Sequence, residues 1–384
     1  MKNYFILAGE ASGDLHGSRL IQALKENANT LSICGIGGPR MRQAGIECLI
    51  SNEELQVMGF SDVLFSLPRL CKLFYRTLHL ILHRRPDCVI LIDYPGFNLR
   101  LAAALRKRGY RGKIVQYVCP SVWAHGKNRI QKLEAHFDLL LTIYPFEAQY
   151  FSKTHLKVVY IGNPLVETIH SHVYQEDWLE RLSIPRTGDI IALFPGSRRG
   201  EILSHIPQQL QAAHLLKQSH PHLRFALSCA QENLQGPIND LVRNGPLHPG
   251  EDLFIIPPLY RYELMKHCKI ALAKSGTVAL ELALHKVPGV IHYQLSTLNY
   301  LFAKFILKLQ LPSYCIVNIL TDQTLFPEFI GMRISPHDLK VQLEKIHVQP
   351  SLYRKIQDGC EKLKELLGSN LAHQCAAQEI GKLK

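Results

Sequence analysis

Short apolar runs that alternate with helical patterns are the feature that most limits how this chain of 384 residues can fold. Each run is apolar at nearly every position, so both faces of the strand that it predicts are buried. Strands of this kind belong to parallel sheets that carry helices on both faces. The first set of runs spans residues 4–9, 31–38, 88–93, 113–119, 139–144 and 158–162.

A second set of runs follows a polar stretch near residues 163–188. We therefore predict two α/β domains, 1–168 and 169–345, each a doubly wound parallel sheet, with the two sheets facing a cleft. Residues 346–384 read as helices, and the sequence leaves open which domain they pack on. The second set spans residues 190–196, 223–229, 253–258, 269–276 and 287–293.

The charge balance points to an anionic partner. Lys and Arg number 44 against 32 Asp and Glu, a net charge of +12, which is typical of proteins that meet nucleic acid, a membrane surface or a phosphorylated substrate. Residues 65–85 predict a basic amphipathic helix that could lie on an anionic membrane, and 299–311 is a second, more apolar stretch. Either segment is also explained as a helix packed on the core. In the first helix the apolar positions are Leu70, Leu73, Phe74, Leu78 and Ile81, and Arg69, Lys72 and Arg76 lie between them.

Cysteine usage and the first residues bear on the cellular location. The ten cysteines are scattered singly without a C-x-x-C pair, which favours reduced thiols and a cytoplasmic protein. The opening MKNYFILAGEASGD predicts a strand instead of a signal peptide. No apolar stretch approaches the roughly 20 residues of a membrane-spanning helix.

The first strand runs into a turn, ILAGEASGDLHG at 6–17, that carries two acids and no cation. Glycine-rich turns of this kind normally bind phosphate through backbone N–H groups. Glu10 and Asp14 oppose an anion and suit neutral sugar hydroxyls instead. The alternative for Asp14 is a cap on a helix that begins near Leu15.

Two loops of the second domain are better suited to phosphate. FPGSRRGEI at 194–202 and KSGTVALELA at 274–283 each join a strand to a helix, where backbone amides and the helix dipole favour an anion. Arg198 adds a positive charge to the first loop. In the second, Thr277 and Glu281 lie on one helix face, so a nucleotide could place its diphosphate on the amides and its ribose on Glu281. Glu281 is also explained as a favourable first-turn charge that binds nothing.

Six motifs, taken in this order along nearly the whole chain, resemble the lipid-A-disaccharide synthases. They are AGEASGD at 8–14, GIGGPRM at 35–41, IDYPGFN at 92–98, PSVWA at 120–124, LFPGSRRGEI at 193–202 and SGTVALE at 275–281. The resemblance implies two Rossmann-like domains of the GT-B type. It also implies an inverting transfer from UDP-2,3-diacylglucosamine to 2,3-diacylglucosamine 1-phosphate, giving UDP and lipid A disaccharide 1-phosphate.

The resemblance assigns roles to particular residues. Asp93, at the end of the third predicted strand, would be the base that takes the proton from the acceptor's 6-hydroxyl. Trp123 would be a wall of the site or core. The implied UDP-sugar contacts are Gly196, Ser197, Arg198, Ser275, Gly276, Thr277, Glu281 and Asn318, and those on the acceptor side are Glu10, Ser12, Asp14 and Ser121. Three positions depart from the family pattern, namely Gly96, His125 and Asn163.

We expect no metal and no cofactor, because a metal-dependent transferase of the single-domain type would want an Asp-x-Asp pair, which the sequence lacks. The expected partners are the two lipid substrates and an anionic membrane, on the inner face of the bacterial inner membrane, and no nucleic acid. A homo-oligomer is left open.

Two other functions remain open. A UDP-sugar epimerase would share the architecture and the UDP site but would use no second substrate. A basic nucleic-acid or membrane-binding module would explain the charge, although both strand-to-helix loops of the second domain speak against it.

Overall fold

Each apolar run in the first half of the chain becomes one strand of a parallel sheet. The computed structural model describes residues 2–27, 30–55, 60–125, 127–295 and 311–383. Within these residues the first sheet has seven strands in the order β3-β2-β1-β4-β5-β6-β7. The strands are β1 Lys2–Ala8, β2 Leu31–Gly37, β3 Glu47–Ser51, β4 Cys88–Ile92, β5 Lys113–Tyr117, β6 Leu139–Thr142 and β7 Lys157–Tyr160.

Alternate side chains of β1 enter two separate cores, one on each face of this sheet. Phe5 and Leu7 pack with residues of helices α3 (Phe60–Arg84) and α4 (Pro95–Lys107) on one face. Tyr4, Ile6 and Ala8 pack with residues of helices α1 (Ala11–Glu26) and α16 (Ala372–Gly381) on the other. The helices of this part of the chain are α1 Ala11–Glu26, α2 Pro39–Gln43, α3 Phe60–Arg84, α4 Pro95–Lys107, α5 Val122–His125, α6 Lys127–His136, α7 Pro164–His170 and, near its end, α16 Ala372–Gly381. Burial of both faces is why the strands read as continuous apolar runs.

The second sheet repeats the plan with six strands among the described residues, in the order β10-β9-β8-β11-β12-β13. Its strands are β8 Ile190–Phe194, β9 Arg224–Ser228, β10 Leu253–Ile256, β11 Ile270–Lys274, β12 Gly289–Gln294 and β13 Glu328–Gly331. Its helices are α8 Trp178–Arg181, α9 Arg199–Ser219, α10 Gln235–Arg243, α11 Arg261–His267, α12 Thr277–Leu284, α13 Ile316–Thr321, α14 Pro336–Val348 and α15 Pro350–Leu367. The predicted fold class, two doubly wound parallel sheets, is confirmed.

The predicted strands all form, and two further strands were missed. β3 and β13 lie at the outer edge of their sheets, and their sequences, ECLIS and EFIG, each begin with a glutamate. All four residues of β13 are half-buried, so its sequence lacks the continuous apolar run of a central strand.

The chain divides into two compact units, Met1–Glu167 with Leu367–Lys384, and Thr168–Leu366. This division answers where the final helices pack: α14 and α15 belong to the second unit, whereas α16 returns to the first and packs against α1. The predicted division of the chain into domains 1–168 and 169–345 stays a prediction. All ten cysteines are unpaired thiols.

Candidate functional site

The order of the strands places one switch point in each sheet, where neighbouring strands lead in opposite directions along the sheet. In the first sheet it lies between β1 and β4, and in the second between β8 and β11. Ligands of doubly wound sheets bind at this point, beyond the carboxyl ends of the strands. The loops that leave these four strands are the opening loop, the Asp93 turn, the FPGSRRGEI loop and the KSGT loop, so the sequence motifs and the topology select the same places.

The Asp93 turn, residues 93–94, has an unusual backbone. Asp93 and Tyr94 both have left-handed conformations, with φ of 48° and 46°, which side chains adopt only when the surroundings hold them. Asn98 and Gln116 provide that support from buried positions. The Gln116 Nε2 group donates to the Asp93 carbonyl at 3.1 Å, and the Asn98 side-chain amide donates to the same oxygen. Sequence reasoning quoted Asn98 within a motif but assigned neither residue a role.

The carboxyl group of Asp93 is half-buried. Burial raises its pKa, although a hydrogen bond from the Tyr94 backbone N–H acts in the other direction. A carboxylate whose pKa is raised is a stronger base than an ordinary aspartate, provided that it is ionised.

The opening loop lies against the Asp93 turn. A Cβ at Gly9 would come within 2.9 Å of the Tyr94 ring, so the glycine is required by this close approach. Burial raises the pKa of Tyr94, and the negative charge of Glu10 raises it further. Glu10 and Ser12 are exposed. The structure therefore brings two predicted acceptor-side residues to the edge that carries Asp93.

Asp14 has a different role from either prediction. Helix α1 begins at Ala11, so Asp14 does not cap a helix that starts near Leu15, and that interpretation is wrong. Its carboxylate is 3% exposed and accepts hydrogen bonds from the backbone N–H groups of Gly38 at 2.7 Å, Arg40 at 3.0 Å and Met41 at 3.1 Å. Asp14 thus caps α2 and joins it to α1, while its predicted contact with sugar hydroxyls stays a prediction.

A further acid near this edge was not predicted. Glu147 is 1% exposed and accepts a hydrogen bond from the Tyr144 N–H at 3.2 Å. Burial raises its pKa to about 8. Glu147 lies in the sequence Tyr144-Pro145-Phe146-Glu147. Only its burial, which cannot be read from the sequence, distinguishes it from an ordinary surface glutamate.

Two residues predicted near the site lie close by. Trp123 packs edge-on against Phe146, which is compatible with either predicted role, and Ser121 is half-buried.

The second switch point holds a cavity of about 260 Å³. Both predicted phosphate loops line it, with Gly196, Ser197 and Arg198 from one and Gly276 and Thr277 from the other. The remaining lining includes two cations that sequence reasoning did not single out, Arg261 and Lys274. Lys274 ends β11 and is the first residue of the predicted loop, and that position was the available signal.

The two loops differ in how their backbone amides are used. Glu201, in the first turn of α9, reaches back and accepts from the N–H of Ser197 at 3.1 Å and of Arg198 at 3.4 Å. Lys274 lies 3.0 Å from the same carboxylate. Burial would raise the pKa of Glu201, but Lys274 and these backbone donors outweigh it and lower the pKa. A carboxylate therefore already occupies the anion site of the first loop.

The KSGT loop has no such occupant. The N-terminus of α12 has no side-chain cap, so its first N–H groups remain donors for a ligand. The Ser275 N–H is an exception, because it donates to the His292 carbonyl at 2.9 Å. Of the two predicted loops, this one offers the more available anion site.

Glu281 lies behind the cavity wall. Its side chain is 4% exposed and pairs with Arg261, and the Tyr262 hydroxyl donates to it at 3.2 Å. Burial raises the pKa of Glu281, against the opposing effect of Arg261 and Tyr262. The carboxyl group therefore fixes Arg261, a lining residue, while its predicted contact with ribose stays a prediction.

Asn318 is fully engaged within the protein. Its Nδ2 group donates to the Phe326 carbonyl at 2.7 Å and to Glu328 at 2.6 Å, and its Oδ1 accepts from the Phe326 N–H at 2.8 Å. These bonds tie α13 to β13 and use both amide hydrogens. The predicted contact of Asn318 with the donor sugar stays a prediction.

The apolar face of the basic helix α3 packs on the core. Leu73, Leu78 and Ile81 are buried, and Leu70 and Phe74 pack against the same core. The core-packed alternative is therefore correct for this face, and the predicted contact of the helix's cations with a membrane stays a prediction. The cations lie outside, where Arg84 pairs with Glu47 at 2.6 Å and Arg76 lies 3.6 Å from Glu54.

The second candidate membrane stretch was predicted at 299–311, and its residues 299–310 lie outside the described residues. No helix among the described residues has the length and apolar character to span a bilayer.

Asn163, one of the three departures, is structural, since it donates to the Ile143 carbonyl at 3.1 Å and accepts from the Leu165 N–H at 3.0 Å. Gly96 is exposed and a Cβ there would meet nothing within 4 Å. The side chain of His125 is outside the described set.

The sequence model of a family described as lipid-A-disaccharide synthetase matches residues 4–380. The chain belongs to this family. The match confirms the resemblance drawn from the six motifs, and it covers the loops of both switch points.

Relatives in the family agree with this assignment. The chain is 40% identical over 378 residues to the lipid-A-disaccharide synthase of Chlamydia pneumoniae, a match that covers 98% of this chain and 61% of that protein. It is 33% identical over 364 residues to the Geobacter sulfurreducens synthase, covering 95% of this chain and 92% of the relative. The chain therefore spans about three fifths of the chlamydial relative's length and nearly all of the Geobacter one.

Solved structures share the fold at low identity. The S. aureus MnaA–UDP co-structure has a TM-score of 0.67 at 13% identity and covers 99% of this chain and 96% of that one. The UDP-GlcNAc 2-epimerase from Neisseria meningitidis, bound to UDP-GlcNAc, has a TM-score of 0.62 at 13% identity with full coverage of both chains. At these identities the likeness establishes the two-domain architecture alone.

Proposed function

We propose that this chain is an inverting glycosyltransferase of lipid A biosynthesis. It would transfer 2,3-diacylglucosamine from UDP to the 6-hydroxyl of 2,3-diacylglucosamine 1-phosphate, with release of UDP and formation of the β-1′,6-linked disaccharide 1-phosphate. The observation that carries this proposal is the family match over residues 4–380. The opposite charge of the two switch points supports it, because the reaction needs a base for a hydroxyl and a cationic site for a diphosphate.

The UDP moiety of the donor is assigned to the second unit. Lys274, Arg261 and Arg198 line the cavity there, and three cations can offset the charge that a departing diphosphate develops. The uncapped start of α12, with Gly276 and Thr277, offers backbone donors to the same phosphates. Glu281 would act as a positioning residue through its pairing with Arg261.

The acceptor sugar is assigned to the first unit. Asp93 would take the proton of the 6-hydroxyl as that oxygen attacks the anomeric carbon from the side opposite UDP, which inverts the configuration. The raised pKa of Asp93 supports a base role. Glu10 and Ser12 are exposed next to this turn and can exchange hydrogen bonds with sugar hydroxyls.

A turnover assay with both lipid substrates tests the proposal. We expect UDP and a β-linked disaccharide 1-phosphate in equal amounts, and no reaction when the acceptor is left out. If the protein converts the UDP-sugar to an epimer when the acceptor is absent, it is an epimerase and the proposal is wrong. Retention on DNA that weakens with salt, without UDP binding, would instead favour a nucleic-acid module.

We also propose that the protein works at an anionic membrane surface, on the inner face of the inner membrane, because both substrates carry acyl chains. The contact would be electrostatic, through the outward cations Arg69, Lys72 and Arg76 of α3, each contributing on the order of 1 kcal/mol near such a surface. The apolar face of α3 takes no part, since it is packed in the core.

Charge reversal at these three positions tests the membrane proposal. Arg69→Glu, Lys72→Glu and Arg76→Glu together should release the protein from anionic vesicles at low salt and lower the activity on lipid substrates, with UDP affinity preserved. A matched control reverses Arg354, Lys355 and Lys362, three exposed cations of α15. Equal sedimentation with vesicles for both triple variants and the wild type would overturn the assignment to α3.

A further inference from the structure

Three histidines meet at the end of the second sheet that is opposite its switch point. His220 and His222 precede β9, and His347 lies in the last turn of α14. One ring nitrogen from each residue lies within 4.8 Å of those of the other two. The ring centroids are 5.4 Å apart for His220 and His347, and 6.0 Å for His222 and His347.

The surroundings of two of these rings are those of metal ligands. Ligating histidines usually place their second ring nitrogen on a carboxylate, which fixes the orientation of the ring. The His220 Nε2 atom lies 3.0 Å from Glu344, whose carboxylate also accepts from the Lys340 ammonium at 2.7 Å. The His347 Nδ1 atom lies 3.7 Å from Asp189.

The Nδ1 atom of His347 is buried and has no hydrogen-bond partner among the described residues. Movement of the ring by a few tenths of an ångström would bring this atom to Asp189, which lies 3.7 Å away, and would leave Nε2 for a metal ion. Pro221 restricts the backbone between His220 and His222, so two of the three rings are held by a stiff connection.

We propose that His220, His222 and His347 form a binding site for a borderline transition-metal cation, with Zn²⁺ as the representative. Imidazole nitrogens suit such a cation and do not suit Mg²⁺ or Ca²⁺. Zn²⁺ binds nitrogen at about 2.0–2.1 Å in a tetrahedral arrangement, which requires nitrogens about 3.4 Å apart. The three rings therefore need to approach each other modestly, with water as the fourth ligand.

The site would stabilise the second unit and take no part in the transfer reaction. The three histidines join the segment before β9 to the end of α14, and they lie at the amino ends of strands whose carboxyl ends carry the UDP cavity. This role is independent of the proposed function, because it predicts binding and stability and leaves UDP affinity unchanged.

The test is calorimetric titration of the tag-free, chelator-treated full chain with ZnCl₂, in a non-thiol reductant, together with thermal unfolding. We expect one Zn²⁺ per chain, a higher Tm with Zn²⁺ than with EDTA, and no binding of Mg²⁺. His222→Ala changes an exposed residue and should weaken Zn²⁺ binding at least about tenfold with the chelated Tm unchanged. Glu344→Gln, a positioning change, should weaken it by about 10- to 100-fold.

The control is His337→Ala, since His337 is an exposed histidine of α14 outside the cluster; it should bind Zn²⁺ like the wild type. Absence of Zn²⁺ binding by the wild-type chain would overturn the proposal. So would equal Zn²⁺ affinity in the His222→Ala variant and the wild type, which would assign the ion to other groups such as the cysteines.

Discussion

The two switch points share a topology and differ in charge. In both sheets the loops leave the carboxyl ends of two adjacent strands that lead in opposite directions. The first carries Asp93 and Glu10, whereas the second carries Arg198, Arg261 and Lys274 around a cavity. The fold therefore fixes where a ligand binds, and the side chains on four loops decide which ligand it is.

The acids at the two places respond to their surroundings in opposite ways. Burial is the largest influence on Asp93 and Glu147, and it raises the pKa of both. Glu201 is also partly buried, but Lys274 and the backbone donors lower its pKa. The surroundings of the first switch point therefore suit a carboxylate that accepts a proton. Those of the second keep Glu201 and its cationic partners ionised, as an electrostatic binding site requires.

The largest expected effect comes from removing the proposed base. Asp93→Asn should reduce turnover by about 10²- to 10⁴-fold and leave UDP affinity unchanged, because the carboxyl group acts on the acceptor. Steady-state turnover and UDP titration of the same preparation measure both quantities. Asp240→Asn, a change at an exposed aspartate, is the control and should keep the full rate.

A variant at Asp93 that retains more than about a tenth of the rate would contradict general-base catalysis of the expected size. A parallel loss of UDP affinity would contradict the separation of the two places.

Lys274→Met should have the next largest effect. Lys274 is 17% exposed, so its charge is only partly screened, and a hydrogen bond to a charged group is worth about 1.5–3 kcal/mol. We expect UDP to bind about 10- to 100-fold more weakly, with a matching fall in turnover. Calorimetric titration with UDP checks the affinity, and an unchanged dissociation constant would remove Lys274 from the site.

Arg198→Ala should act in the same direction with a smaller effect. The Arg198 side chain is 76% exposed, so water screens its charge. We expect a loss of about 3- to 10-fold in both UDP affinity and turnover, since the group touches the diphosphate before and during the reaction. If Arg198→Ala weakened UDP binding more than Lys274→Met, the order of effects expected from the exposure of the two side chains would be wrong.

The last effect is on stability, not on turnover, and concerns the first switch point. The Glu147 pKa is about 8 in the folded protein against 4.5 for an ordinary glutamate. Its contribution to stability is therefore complete below about pH 4.5 and is lost as pH rises toward 8, by up to about 1.4 kcal/mol per pH unit. Glu147→Gln keeps the hydrogen-bond acceptor and should remove this loss.

The measurement is the difference in Tm between variant and wild type across this pH range, which should shift in favour of the variant as pH rises. A difference that stays constant from pH 5 to pH 9 would show that the Glu147 carboxyl group titrates normally.

The sequence contains most of the information about the fold and only part of that about the site. Central strands are buried on both faces, so their apolar runs were recognisable, whereas the edge strands β3 and β13 were too polar. Loops that join a strand to a helix were found because glycine, arginine and the acids mark them. Gln116 and Glu147 were not found because they belong to no local pattern, and Lys274 was missed although it begins one of these loops.

The errors and omissions have a common cause in tertiary contacts. Asp14 accepts from backbone groups 24 or more residues away. Asn318 bonds to the backbone of Phe326, 8 residues away, and to the side chain of Glu328, 10 residues away. No local pattern reveals such bonds. The apolar stripe of α3 is the same for a core helix and a membrane helix, and only the packing of Leu73 and Ile81 distinguishes them. In the histidine cluster, His347 lies 127 residues after His220 and 125 after His222.

Hydrogen exchange in the presence of UDP tests the difference between the two switch points most directly. Saturating UDP should protect backbone amides in peptides that cover 194–201 and 273–281 and leave those covering 7–14 and 92–98 at their ligand-free exchange rates. Protection of 92–98 with none at 194–201 and 273–281 would place the nucleotide at the acidic switch point and contradict the account.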